Sequence, residues 1–132
     1  MEAKMMALPF ERRRSGQIRF PIRVPALTEP IQRLGGSTRG EAEDLSSGGV
    51  LLRLEQDLVP GDPVRVTLCL TKQPPLTMAG TVAWAHPHPI FAGWALGVRF
   101  NEELPWEMVG DIADAEHPPW LTPRANIWPP RA

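Results

Sequence analysis

Short runs in which apolar and polar residues alternate limit the fold of this chain more than any other feature. In "IRFPIRVPA" the residues Ile18, Phe20, Ile22, Val24 and Ala26 fall on one face. The same period recurs in "PVRVTLCLT", "LTMAGTVAW" and "WALGVRF". A period of two is typical of a β-strand that buries one face. The alternation therefore predicts an all-β core.

Turn residues separate these runs. Pro60-Gly61-Asp62 and Gln73-Pro74-Pro75 are turn signals, and the longer "HPHPIFAG" precedes the last run. The segment from Gly35 to Asp44 is less apolar, and is either a short polar strand or a loop. We count about six strands with short connections. An open sheet of that size would leave two long edges unprotected, so we predict a six-stranded antiparallel β-barrel.

Two prolines lie inside the first run, at Pro21 and Pro25. Proline has no backbone N–H and cannot donate to a strand ladder. We therefore expect these two residues on a sheet edge, or where the partner strand is missing.

After the last strand the apolar period changes to that of a helix. In "NEELPWEMVGDIADAE" the residues Met108, Val109 and Ile112 recur at helical spacing. Pro105 suits a first helical turn, and Asn101 is a candidate cap. We predict a short helix of about two to three turns that covers one end of the barrel.

The prolines and the apolar pattern divide the chain into three parts. Residues 1–10 form a predicted flexible N-terminal segment, and residues 11–116 form the barrel with its C-terminal helix. Residues 117–132 are rich in Pro and Trp and cannot form a regular helix or strand. Trp120 and Trp128 of this tail either pack on the barrel or contact a partner.

Charge is distributed unevenly along the chain. Residues 1–40 contain eight Lys or Arg and three Asp or Glu, whereas the remainder contains six and twelve. This asymmetry indicates an anionic partner near the amino-terminal end. Nearly all the basic residues are arginine, whose planar fork suits phosphates and guanine edges. A GC-rich genome would produce the same bias, and both explanations stay open.

No pattern of catalytic or metal-binding residues stands out. His86 and His88 lack Cys, Asp or Glu at ligand spacing, and we interpret "HPHP" as an exposed turn. No Gly-x-Ser-x-Gly elbow, Walker loop or dinucleotide fingerprint is present. No run approaches the ~18 apolar residues of a membrane span. We expect a cytoplasmic protein that is not an enzyme, with no metal, no cofactor and no membrane insertion.

Two short motifs remain. "ERRRSGQIRF" precedes the first strand, and Asp44, Ser46 and Gly49 stand just before the apolar run Val50-Leu51-Leu52. In this order on a small barrel followed by a helix, they resemble the PilZ domain, the bacterial receptor module for cyclic di-GMP. "GTVAWA" and "ALGVRF" are similar to the last two strands of that family. The resemblance covers roughly residues 10–115.

The two motifs match the family to different extents. Asp44, Ser46 and Gly49 fit its Asp-x-Ser-x-x-Gly motif in full. In its Arg-x-x-x-Arg motif, Arg13 stands at the first arginine and Gln17 at the second. The spacing recurs at Arg19 and Arg23, which alternation places on one face of the first strand.

The resemblance implies a ligand with two guanines and two phosphates. Arginines bind both groups through charge-assisted bonds. A carboxylate at position 44 accepts from guanine N1–H and N2–H, whereas the Ser46 hydroxyl bonds a phosphate or fixes the turn. Eight residues are the implied contacts with cyclic di-GMP: Arg12, Arg13, Arg14, Gln17, Asp44, Ser46, Gly49 and Trp84.

Trp84 has two open interpretations. An exposed indole would stack on a base, which contributes about 1–3 kcal/mol. Strict alternation, however, places Val82 and Trp84 on one face, and Trp84 packs in the core if that face is the buried one.

Two functions follow from the resemblance. The first is a signalling effector that binds cyclic di-GMP and relays its level to a protein partner. The second is a degenerate PilZ-like module that binds no nucleotide and acts through protein contacts in pilus, motility or polarity control. The intact Asp44 motif favours the first, and Gln17 favours the second. A nucleic-acid partner is not expected, because the basic segment is short and the rest of the chain is acidic.

Overall fold

The computed structural model describes residues 18–32 and 36–119. In these ranges six antiparallel strands form a closed barrel in the order β1-β2-β3-β6-β5-β4, followed by one helix. The predicted fold is therefore confirmed. The elements are β1 (Phe20–Pro30), β2 (Thr38–Leu45), β3 (Gly49–Leu54), β4 (Pro63–Leu68), β5 (Leu76–Pro87), β6 (Trp94–Phe100) and α1 (Trp106–Ala115).

The apolar face of each alternating run lines the barrel interior. Ile22, Val24, Leu52, Leu96 and Val98 are all buried in one core cluster. Burying a side chain of this kind stabilises the fold by about 1.5–3 kcal/mol relative to leaving it in water. The segment whose nature the sequence left open is strand β2, and it pairs with both β1 and β3.

The two prolines of β1 lie where one neighbouring strand is missing. β1 pairs with β4 only from Ala26 to Pro30. Pro21 and Pro25 precede that stretch, as expected for residues without an N–H. The amide of Arg23 lies between them and donates to the backbone carbonyl of Glu116, at 2.8 Å.

Helix α1 begins at Trp106, several residues after Asn101, the cap that the sequence suggested. Its N-cap residue is Pro105, without a side-chain cap hydrogen bond, so the prediction for Asn101 is wrong. Val109 and Ile112 are buried as expected. Met108 is exposed because it is one position, about 100° of helical rotation, from the buried stripe. The length of ten residues agrees with the predicted two to three turns.

Glu116 fastens the end of α1 to the barrel. It is only 4% exposed. Its Oε2 accepts the N–H of Thr71 at 2.7 Å and the hydroxyl of Thr71 at 2.9 Å. With the bond from Arg23 to its carbonyl, Glu116 joins the helix to β1 and to the β4–β5 loop.

The two ends of the barrel differ. The β2–β3 turn, the β4–β5 loop and α1 lie at one end, which also contains the start of β1. We call this the helix end. The other three loops lie at the opposite end. Residues 1–10 and nearly all of the tail, 117–132, lie outside the described ranges, so the predicted domain boundaries stay predictions.

Candidate functional site

The tight turn between β2 and β3 contains the Ser and Gly of the second motif. The N–H of Ser46 donates to the carbonyl of Gly49 at 2.9 Å, and the N–H of Gly49 donates to Ser46 Oγ at 3.1 Å. The hydroxyl also lies 3.3 Å from the Gly49 carbonyl. Of the two roles that the sequence allowed for Ser46, the structure shows a fixed turn. Phosphate contact by this residue, which is 3% exposed, stays a prediction.

Neighbouring segments hold this turn in place. The Gly48 carbonyl accepts the N–H of Phe100 at 2.8 Å, and the Ser47 carbonyl accepts the N–H of Leu104 at 2.9 Å. Gly49 lies so close to β6 that a Cβ there would collide with the Val98 carbonyl oxygen. The motif glycine is thus required by strand packing, whatever it does for a ligand.

Asp44 faces outward because β2 contains a bulge. Ala42 pairs with Leu52 and Asp44 pairs with Leu51, so Glu43 is an extra residue in β2. Without it, alternation from the buried Ala42 would turn Asp44 inward. Bulges commonly re-aim a side chain next to a binding site.

The carboxylate of Asp44 has one cationic partner in the described part of the chain. Arg19 Nη1 lies 3.1 Å from Asp44 Oδ1. Burial raises the pKa of Asp44 above its ordinary value, and the nearby Glu43 raises it further, whereas the charge and hydrogen bond of Arg19 lower it. The carboxyl group is therefore poorly solvated and incompletely compensated, which favours a further hydrogen-bond donor at this position.

A second bulge decides the position of Trp84. Val82 pairs with Val98 and Trp84 pairs with Gly97, so Ala83 is an extra residue in β5. The expectation that Val82 and Trp84 share a face is wrong for this reason. Val82 is buried, whereas Trp84 lies on the outer surface with 37% exposure. Its indole covers Gly97 and stacks on His86, with ring centroids 4.8 Å apart.

Asp44 and Trp84 end one row of residues across the outer face of the barrel. Asp44 pairs with Leu51, Leu51 with Gly97, and Gly97 with Trp84. Three strand spacings separate the ends of this row, about 14 Å when followed along the curved wall of the barrel. The row has a carboxylate at one end, an exposed aromatic ring at the other, and Leu51 and Gly97 between them. We call this surface the Asp44–Trp84 row.

The first motif lies almost wholly before the part of the chain that the structure describes. Arg12, Arg13, Arg14 and Gln17 are outside the described residues, so their predicted contacts stay predictions. Arg19, which the sequence offered only as a repeat of the motif spacing, is the residue that contacts Asp44. Its position on the outward face of the first alternating run, directly before β1, was the signal that could have identified it.

The histidines of "HPHP" differ from each other. His86 is exposed, but the side chain of His88 is only 7% exposed, so the exposed-turn interpretation is wrong for His88. Its Nδ1 accepts the N–H groups of Ile90 and Phe91, which leaves Nε2–H to donate to Glu43 at 3.2 Å. His88 thus fixes the β5–β6 loop.

Within residues 18–32 and 36–119 no cluster of three or more His, Cys, Asp or Glu residues has metal-binding geometry. The same ranges contain no helix that is long and apolar enough to cross a membrane.

Comparison with known proteins points to one family. A family model described as "PilZ domain" matches residues 11–112. No curated protein matches the chain. Among solved structures the chain is similar to the Bacillus subtilis inhibitor of motility (MotI/DgrA), with a TM-score of 0.57 and 13% identity. The match covers 73% of this chain and 46% of that one, and at 13% identity the likeness supports the fold alone.

Proposed function

Because this chain belongs to the PilZ domain family, we propose that it is a receptor for cyclic di-GMP that relays the level of this second messenger to a protein partner. The Asp44–Trp84 row is the observation that carries the proposal. It holds an acceptor for guanine N–H groups and an exposed stacking surface at the two ends of one row of paired residues on the outside of the barrel. On this proposal the protein is a binding module and not an enzyme.

The row suits a flat, hydrogen-bonding ligand. Asp44 Oδ1 is engaged by Arg19, and the carboxylate has acceptor capacity left for N1–H and N2–H of one guanine. His86 stacks on one face of the Trp84 indole, and the proposal assigns the other face to a base. The missing side chain at Gly97 leaves room for the indole to lie against β6. A site that combines stacking with charge-assisted hydrogen bonds discriminates guanine from bases with other edges.

The arginines of the first motif can reach this row. Arg13 precedes Arg19, which contacts Asp44, by six residues, and an extended chain of that length has a reach of about 22 Å at ~3.6 Å per residue. On this proposal Arg12, Arg13 and Arg14 bind phosphates of the ligand, and Gln17 donates to a guanine edge. These four contacts are part of the proposal.

Isothermal titration with cyclic di-GMP tests the binding half of the proposal. We expect a heat signal for the unmodified protein and a loss of about 10- to 100-fold in affinity for Asp44→Ala and Arg13→Ala, because each removes a charge-assisted bond. Asp111→Ala is a matched control, since Asp111 is an exposed carboxylate on α1. Cyclic di-AMP, which has the same phosphates, should bind far more weakly. The absence of a heat signal at high micromolar cyclic di-GMP would reject the proposal and favour the alternative, a protein-interaction module that binds no nucleotide.

Hydrogen exchange tests the relay half. β1 joins Arg19, which contacts Asp44, to Arg23, whose N–H is bonded to Glu116 at the end of α1. Ligand at Asp44 should therefore change the amide protection of residues 20–24 and 106–116. The exposed β3–β4 loop, residues 55–62, is at the opposite end and serves as the internal control. Protection that is unchanged in β1 and α1 when ligand is bound would contradict a relay through this end.

A further inference from the structure

Arg99 lies directly beside the second motif on the outer face of β6. It pairs with Gly49 of the β2–β3 turn on one side and with Thr81 of β5 on the other. Its neighbours Val98 and Phe100 are buried in the core, so alternation turns Arg99 outward, where it is exposed. Gly49 has no side chain that could stand between this guanidinium and the turn.

This guanidinium lacks an anionic partner among the residues that the structure describes. Four other arginines in the same ranges each lie within 4 Å of a carboxylate: Arg19, Arg23, Arg53 and Arg65. Arg39 also lacks such a partner in the described part, but it stands at the end of the barrel opposite the turn. Among the arginines that the structure describes, Arg99 therefore both lies beside the motif and has no carboxylate partner that would compete with an external anion.

The position of Arg99 relative to the Asp44–Trp84 row matches a nucleotide. Gly97, which the indole of Trp84 covers, is two residues along β6 from Arg99. Two strand residues span about 6.6 Å. A base stacked on Trp84 would therefore place its sugar and phosphate over Arg99 and the turn, because base and phosphate of one nucleotide are separated on this scale.

We infer that Arg99 binds a phosphate of the cyclic dinucleotide. The inference rests on the proposed function, since it assigns one further contact in the same site. Arginine suits this role because its fork donates two parallel bonds to phosphate oxygens. Asp44, Trp84 and Arg99 then bind three parts of the ligand: a guanine edge, a base face and a phosphate.

Titration of cyclic di-GMP into charge-matched variants tests this assignment. Arg99→Ala should bind about 10- to 100-fold more weakly than the unmodified protein, whereas Arg39→Ala, with the same loss of one exposed guanidinium, should bind within about twofold. Arg99→Lys should recover part of the lost affinity because it restores a point charge. Both positions are exposed, and equal melting temperatures would verify that the variants are folded.

Salt dependence provides a second readout. A phosphate contact makes binding weaken with added salt, so the dependence of log Kd on log salt should be shallower for Arg99→Ala than for Arg39→Ala. If the unmodified protein binds and Arg99→Ala behaves like Arg39→Ala in affinity and in salt slope, the assignment of Arg99 is wrong and the proposed function stands. If the unmodified protein does not bind cyclic di-GMP, both are wrong.

Discussion

Arg19 and Asp44 form an ion pair, Nη1 to Oδ1 at 3.1 Å, yet burial still raises the pKa of Asp44 above its ordinary value of 3.8. The side chain of Arg19 is half exposed, so its charge is screened by solvent. The pair therefore holds the carboxylate in place without fully compensating its loss of hydration. A motif residue that destabilises the empty protein is a common feature of binding sites.

Asp44→Asn should stabilise the protein at pH 7. Because the pKa of Asp44 is raised in the folded state, that state keeps a proton at pH values where the unfolded chain has lost it. Stability therefore falls as pH rises through a window that begins near 3.8 and extends to the raised value. Urea unfolding should show the Asp44→Asn variant to be more stable than the unmodified protein at pH 7 and equal to it at pH 3. Lower stability of this variant at pH 7 would mean that the Arg19 pair dominates.

Gly97→Ala should impair ligand binding although residue 97 has no side chain to contribute. A Cβ there would collide with the indole of Trp84 and displace the stacking surface. We expect affinity for cyclic di-GMP to fall about tenfold or more, as for Trp84→Ala, with a change in tryptophan fluorescence. Gly36→Ala is the control, because a Cβ at Gly36 meets no atom within 4 Å. Unchanged affinity in Gly97→Ala would show that Trp84 contacts no base.

Gly49→Ala should destabilise the protein by about 2 kcal/mol even without ligand. The added methyl group would press on the Val98 carbonyl, a backbone atom that cannot move without shifting β6. Gly110→Ala should have the opposite effect, a gain of about 0.5–1 kcal/mol, since the helix position is open and alanine favours helix. Thermal unfolding of the Gly49→Ala and Gly110→Ala variants measures the two changes in stability. A neutral Gly49→Ala would contradict a structural need for this glycine.

Glu116→Ala should loosen α1. The change removes the acceptor of two partly buried hydrogen bonds, from the N–H and the hydroxyl of Thr71, which together contribute about 1–3 kcal/mol. Glu103→Ala, at an exposed position before the helix, should change stability by less than about 0.5 kcal/mol. Chemical unfolding measures both effects, and hydrogen exchange of residues 106–116 should localise the loss to the helix. Equal stability of the two variants would show that Glu116 does not fasten the helix.

The fold could be predicted from the sequence because the alternation of buried and exposed residues can be seen within each strand. Val50, Leu52 and Leu54 alternate with outward residues, as do Leu96, Val98 and Phe100. Each strand except β2, whose segment the sequence left open as strand or loop, could be identified without knowledge of its neighbours. The number of strands and their length then favoured closure into a barrel.

The directions in which the site residues point could not be predicted from the sequence in the same way. A bulge is a mismatch between two strands, and neither Glu43 nor Ala83 differs from an ordinary strand residue in its own sequence context. The motif identified Asp44 by family resemblance, whereas the direction of Trp84 required the register of β5 against β6. The partner of Asp44 likewise required the pairing of β1 with β2.

Ile18 and the β2–β3 turn both lie at the helix end of the barrel. Ile90 lies at the opposite end, and 79% of its surface is exposed. A fluorescent reporter at the helix end would therefore be close to bound ligand, whereas a reporter at the opposite end would be far from it. A dye on a cysteine at position 18 would respond to occupancy, and one at position 90 would give a steady reference. With Cys69 first replaced by serine, a two-colour ratio from these positions would turn the barrel into a self-calibrating sensor.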